Sequence, residues 1–183
     1  MSIEQVIGEA KRLLEIDPFD AGHDLDHHTA VVKNCFDIIR DENLSLGIEA
    51  LLIAAWWHDY KRDDETENDR ILTVTLVANG FDNTYIAKVL GIKNCHSFGN
   101  GQDSLEAQVL FDADKLEYVN IDRFKKVSQA VEKGKMSMEV AKKYEVAFIQ
   151  RVPILVGNLH FASSNRKFND RLLDLGTNHY FVI

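Results

Sequence analysis

Apolar residues recur at three- and four-residue spacings along nearly the whole chain, and strict alternation is rare, so the pattern predicts helices throughout. The first helix is expected over about Ile3–Ile16, stopped ahead of Pro18, because the residue before a proline disfavours helical backbone. After the loop DPFDAGHD, a second is expected over about Asp24–Asp41, with Val31, Cys35, Ile38 and Ile39 on one stripe. A third, about Leu46–Tyr60, reads IEALLIAAWWHDY. It is apolar nearly all round, which places it at the centre of the domain. Further helices are expected at about Glu67–Asn79, Asp82–Ile92, Leu105–Glu117, Ile121–Glu132, Ser137–Gln150, Pro153–Ala162 and Lys167–Leu175. The closing segment NHYFVI reads as a docked tail or a frayed end.

Composition narrows this picture. The chain has 183 residues, with no linker, repeat or low-complexity tract, and reads as one all-α domain over 1–183. An apolar share of 45% is enough for a core without disulfides. Its two cysteines, Cys35 and Cys95, make no CxxC pair and read as buried small hydrophobes in a reducing compartment. The N-terminus mixes Glu4, Glu9 and Glu15 with apolar residues, unlike a signal peptide, and the stretch Leu51–Trp57 is too short to span a bilayer. A cytoplasmic protein that makes no membrane contact is expected. The net charge of -8 disfavours a nucleic-acid polymer as partner, while a local group of cations can still hold a small phosphorylated molecule.

Candidate chemistry starts at His58–Asp59, at the end of the most apolar helix. An ionised Asp there costs several kcal/mol unless something pairs it, and a divalent cation would, since imidazole and carboxylate are a good mixed ligand set. HDLDHH at 23–28 gathers three histidines, and His23 and His27, four apart, would share a helix face. FDADKLE at 111–117 offers Asp112 and Asp114. Ligands from three helices can converge inside a bundle. Trp56 and Trp57 read as core, GNG at 99–101 as a flexible connection or lid, and His160 and His179 have no partner pattern.

The order H…HD…D on such a chain resembles the HD superfamily of metal-dependent phosphohydrolases. HDLDHHTAVV at 23–32 is similar to that family's HDxxHxxRV opening, and AAWWHDY at 54–60 to its apolar run ending in HD. IKNCHSFGNG at 92–101 and LEAQVLFDADKLE at 105–117 resemble the HSF and DADRLD elements of one bacterial subgroup. The resemblance covers about residues 21–120. It implies a helical bundle with one central divalent ion (Mn, Fe, Co, Ni, Mg or Zn) held by His27, His58, Asp59 and Asp114. Asp114 is preferred to Asp112 because Lys115–Leu116 matches the Arg-Leu of the motif. Ala30 stands where the opening usually has Arg, and Glu117 where the subgroup has Asp.

The implied chemistry is hydrolysis of a phosphoester or pyrophosphate bond in a nucleotide or similar small phosphate. The ion lowers the pKa of a bound water from 15.7 towards roughly 7, and the hydroxide attacks phosphorus. Two carboxylates and a dication sum to about zero charge, so further cations are expected to meet the phosphate. Lys61, Arg62 and Lys115 adjoin the implied ligands and are candidates, Lys61 as a catalytic cation. Asp63, four residues after Asp59, is expected to position the water if the helix continues. His96 is the only histidine between 59 and 114, which argues for one ion and for His96 as a substrate contact. His23 is expected in substrate binding or as support around the ligands. Two other readings stand beside this one: a di-iron oxygenase of the same fold, which needs about six ligands, and a non-catalytic metal- or nucleotide-binding module.

Overall fold

The most apolar helix is also the most enclosed. As a computed structural model, the structure describes residues 2–177 and contains nine α-helices and no strand among them. In order these are α1 (Ile3–Ile16), α2 (Leu25–Asp41), α3 (Ile48–Trp57), α4 (Glu65–Ala78), α5 (Asn83–Asn94), α6 (Leu105–Lys115), α7 (Ile121–Glu132), α8 (Met138–Leu155) and α9 (Ala162–Thr177). A 3-10 turn, Leu116–Val119, extends α6. Helix α3 packs against α1, α2, α5 and α6, and Ala50, Leu51 and Ile53–Trp57 are buried. Trp57 is fully enclosed, its indole N–H donating to the Val6 carbonyl of α1 at 3.2 Å.

Caps explain why most boundaries fall where the pattern puts them. Ser2, Asp24, Asp82, Ser104, Asn120 and Ser137 each accept a backbone N–H from the first turn they precede. The predicted α1 and α7 coincide with those observed. Three expectations are corrected. Helix α3 stops at Trp57 instead of reaching Tyr60, because Lys61 takes a left-handed φ of 51° and turns the chain away. Pro153 does not open a helix. It lies inside α8, two residues from its end, and its missing N–H leaves the Ile149 carbonyl without the usual helical donor. Cys35 is buried as expected, but Cys95 is only half-buried. Trp56 and Trp57 belong to the core. The NHYFVI segment and His179 lie outside the described residues. No described helix is long and apolar enough to cross a membrane.

Helices α7 and α8 form a hairpin with a small core of its own, Val127, Ala130, Met136 and Ala141, separate from the main cluster around α3. Polar contacts tie this hairpin to the front of α2. Lys126 pairs with Asp24 and Asp26, and Tyr144 donates to Asp20 at 2.5 Å. Glycine is required at position 22 because a Cβ there would run into the Tyr144 ring and hydroxyl.

Candidate metal centre

The C-terminal ends of α3 and α6 meet the first turn of α2, and each delivers part of one cluster. His27 comes from α2, His58 and Asp59 from the end of α3, and Asp114 from the last turn of α6. One ligand atom from each lies within 4.8 Å of the others, and all four residues are buried. The His27 and His58 Nε2 atoms are 3.3 Å apart, and they stand 3.5 and 3.6 Å from Asp114 Oδ1 and 3.7 and 3.6 Å from Asp59 Oδ2. Donors about 2.1 Å from a shared centre would show spacings of this size.

The chemistry of the donors fits a cation. His58 donates its Nδ1–H to the Ala55 carbonyl at 2.8 Å, which leaves a lone pair on Nε2 facing two carboxylates. His96 does the same with the Lys93 carbonyl at 2.5 Å, so its Nε2 lone pair confronts Asp59 Oδ1 at 3.2 Å. Lone pairs aimed at carboxylates from both sides repel unless positive charge lies between them. Both carboxylates also sit at helix C-termini, where the helix dipole is already negative. The terminal carbonyls are satisfied separately: Asn68 donates to Trp57 at 2.8 Å and Asn34 to Ala113 at 3.0 Å.

Ionisation follows the same logic. Burial opposes the charged form of Asp59, but the Arg62 guanidinium, 2.5 Å away, holds its carboxyl well below the usual range. Burial likewise opposes Asp114, and Lys115 at 2.6 Å outweighs it. Burial pushes the His27 imidazole down to about 4 and His28 well below its ordinary value, so both are neutral and available as donors at neutral pH. A stability prediction results. The unfolded chain takes up His27's proton near pH 6.5, the folded chain only near 4, so this contribution is complete above 6.5 and is lost as pH falls towards 4. It amounts to about 3 kcal/mol, with His28 adding in the same direction. Urea denaturation of chelator-treated protein should show a lower midpoint at pH 4.5 than at pH 7, and His27→Gln should flatten the difference; equal midpoints in the parent would refute this account.

The other candidate residues separate clearly. His23 is not on the helix with His27: α2 begins at Leu25, and His23 lies in the preceding loop, its Nδ1–H donating to Asp20 at 2.9 Å. Its Nε2 is 3.8 Å from Asp59 Oδ2. Arg62 joins Asp59 to the neighbouring cavity. Lys115 is buried against Asp114 and beneath the Phe98, Phe111 and Tyr118 rings, and does not line that cavity. Lys61 points outward to Asp17 at 2.5 Å. Asp63 is exposed in the turn after α3, so the shared helix face on which its expected role rested does not exist. Asp112 is not part of the cluster. It accepts the His160 and Phe161 backbone N–H groups, both at 3.0 Å, and the His160 ring N–H at 2.8 Å, so His160 has a partner after all.

Beside the cluster opens a cavity of about 370 Å³, lined on the near side by His23 and Arg62. Its far wall comes from the α7–α8 hairpin, with Arg123, Phe124, Tyr144, Phe148 and Arg151. The sequence reading assigned none of these a role. No motif marks them, and only the seven-residue spacing of Tyr144 and Arg151, which places them on one helix face, could have drawn attention to them.

Fold and cluster together define an all-α protein with a buried His/Asp group that can hold a metal ion. No family model and no curated protein matches the chain. Among solved structures it is similar to a Lactobacillus plantarum protein, with TM-score 0.76 and 20% identity, covering 96% of this chain and 92% of that one. It is also similar to a protein from an uncultured Thermotogales bacterium described as a predicted HD superfamily hydrolase, with TM-score 0.61, 23% identity and coverage of 94% and 87%. A Listeria innocua protein aligns over 100% of both chains, with TM-score 0.65 and 18% identity. These likenesses show a shared fold.

Proposed function

We propose that this chain is a metal-dependent phosphohydrolase of the HD superfamily, cleaving a phosphoester or pyrophosphate bond in a nucleotide or similar small phosphorylated molecule. The observation that carries the reading is the meeting of His27, His58, Asp59 and Asp114 at ligand spacing, with the His58 lone pair oriented by a backbone carbonyl. The fold shared with a predicted HD superfamily hydrolase supports it.

A divalent ion at such a cluster supplies a Lewis acid and lowers the pKa of water. The protein's own residues do the rest. Arg62, stretched between Asp59 and the cavity, neutralises charge on the phosphoryl oxygens. His96, with its Nδ1–H committed to Lys93, offers Nε2 as acceptor for a proton of the attacking water or as a contact to substrate. His23, neutral because burial and Arg123 lower its pKa, borders the cavity and holds Arg123 there, accepting its Nη2–H on the Nε2 that the Nδ1–H bond to Asp20 leaves unprotonated.

The test is a screen of purified protein, stripped and reloaded with Mn, Fe, Co, Ni, Mg or Zn, against phosphomonoesters, cyclic diesters and nucleoside triphosphates. One ion per chain and turnover of at least one phosphate class are expected. Two irons per chain with oxygen consumption would replace this reading with the oxygenase one; tight nucleotide binding without turnover under any metal would replace it with a binding module.

A further inference from the structure

Arginines in this protein are almost all neutralised. Arg12, Arg40, Arg62, Arg70 and Arg171 each pair with a carboxylate, and Arg166 acts on Glu42. Among the described residues two arginines form no carboxylate pair, Arg123 and Arg151, and both line the cavity beside the metal cluster. In a chain of net charge -8, two guanidiniums stand without a carboxylate on a cavity whose two carboxylates are engaged elsewhere, Asp20 by His23 and Tyr144 and Glu117 by Asn34, Asn120 and Arg171, and this departure calls for a ligand.

Their present partners are weak ones. Arg123 Nη2 donates to the neutral His23 Nε2 at 2.7 Å, and its buried Nε has no partner. Arg151 Nη1 donates to the Tyr118 hydroxyl at 2.5 Å while its guanidinium lies 5.0 Å from the Phe98 ring centre. Imidazole and phenol hold a guanidinium in place without cancelling its charge, so each remains free to bind an anion through a fork of N–H groups.

Their placement is also ordered. Arg123 lies over the Tyr144 ring, 5.5 Å from its centre, on the side where His23 approaches Asp59. Arg151 follows Tyr144 by seven residues on the same helix, a rise of about 10 Å at 1.5 Å per residue. Between them the same face carries Ala147 and Phe148, both on the cavity wall. A cavity of about 370 Å³ is large enough for a small organic ligand.

We propose that Arg123 and Arg151 form two separate anion subsites for one ligand. Arg123 holds an anionic group beside the metal cluster, and Arg151 holds a second one about two helical turns further along α8. The ligand is an organic anion charged at both ends, with an apolar or planar middle lying against Tyr144 and Phe148. This rests on the phosphohydrolase reading only for which end is cleaved; the two subsites stand on charge and geometry alone.

The test therefore reads binding, with the metal-loaded full-length protein. The probes are a biphenyl carrying a phosphonate at each end and the same biphenyl carrying one; neither can be hydrolysed. Titration calorimetry should find the two-ended probe at least about tenfold tighter, the size expected of one hydrogen bond to a charged group. Arg151→Met should remove that advantage while weakening the one-ended probe less than about threefold. Arg151→Gln, which can still hydrogen-bond to Tyr118, guards against misfolding and should behave like Arg151→Met. Arg123→Met should weaken both probes. Equal affinity of the unaltered protein for the two probes overturns the proposal, as does equal weakening of both by Arg151→Gln. Turnover in the metal and substrate screen is scored separately, so failure of the hydrolase reading leaves this result standing on its own.

Discussion

Asp59→Ala is expected to abolish both metal binding and phosphate hydrolysis while the helices remain. Asp59 is the most connected residue of the cluster, with Oδ2 facing His27, His58 and Arg62 and Oδ1 facing His96. Loss of a residue that merely supports a ligand weakens metal sites by about 10- to 100-fold, so removing a ligand should cost at least the upper value. The fold should tolerate the change. Asp59 is a buried charge next to a second buried carboxylate, and the Arg62 side chain left without it reaches solvent at 35% exposure. Two readings follow from one preparation. Adding metal at about 100 times the dissociation constant should stabilise the parent by about 2.7 kcal/mol and the variant not at all. Circular dichroism of the two metal-free proteins should superimpose. A variant that still gains stability with metal, or that hydrolyses at the parent rate, removes Asp59 from the centre.

Part of this centre was legible locally, at His58–Asp59, while the full set of His27, His58, Asp59 and Asp114 came from the resemblance to the HD superfamily. The His58–Asp59 dipeptide ends a helix with no polar face, and a chain that carries a carboxylate into such surroundings announces a compensating charge. Helix limits were legible where a capping side chain stands next to a periodic apolar run, as at Ser2 and Asn120. Failures cluster where the deciding interaction is distant in sequence. Arg123 reaches His23 across 100 residues, and Arg151 reaches Tyr118 across 33, so the cavity wall they build has no contiguous motif. Asp63 was misplaced for the opposite reason. A left-handed turn at a lysine has no sequence signature, and one such residue rotates everything after it off the helix face. The sequence reading treated Lys115 as open to substrate; the three aromatic rings that enclose it come from α6, the loop before it and the 3-10 turn after it, and their convergence is a property of packing.

The pair Asp112 and Asp114 gives the sharpest contrast, because two aspartates two residues apart should fail in opposite ways. Asp112 is fully buried and accepts the backbone N–H groups of His160 and Phe161 and the His160 ring N–H. It thereby fixes the turn that leads into α9, whose Phe168 and Leu175 are fully buried in the main core. Asp112→Ala strands two backbone donors, one of them deeply buried, at about 1–3 kcal/mol each, so a loss of about 3 kcal/mol is expected. For a chain of this size that corresponds to a fall in melting temperature of about 6–12 °C. The variant should still take up metal where it is folded, since no ligand atom has moved. Asp114→Asn should do the reverse. It relieves repulsion with Asp59, keeps an amide oxygen that can accept from the buried Lys115, lowers the metal-free melting temperature less than Asp112→Ala does, and eliminates metal uptake. Thermal melts with and without metal on both variants separate the roles. If Asp112→Ala loses metal at full stability, the sequence order has been assigned one turn-neighbour too far, and the cluster must be rebuilt around Asp112.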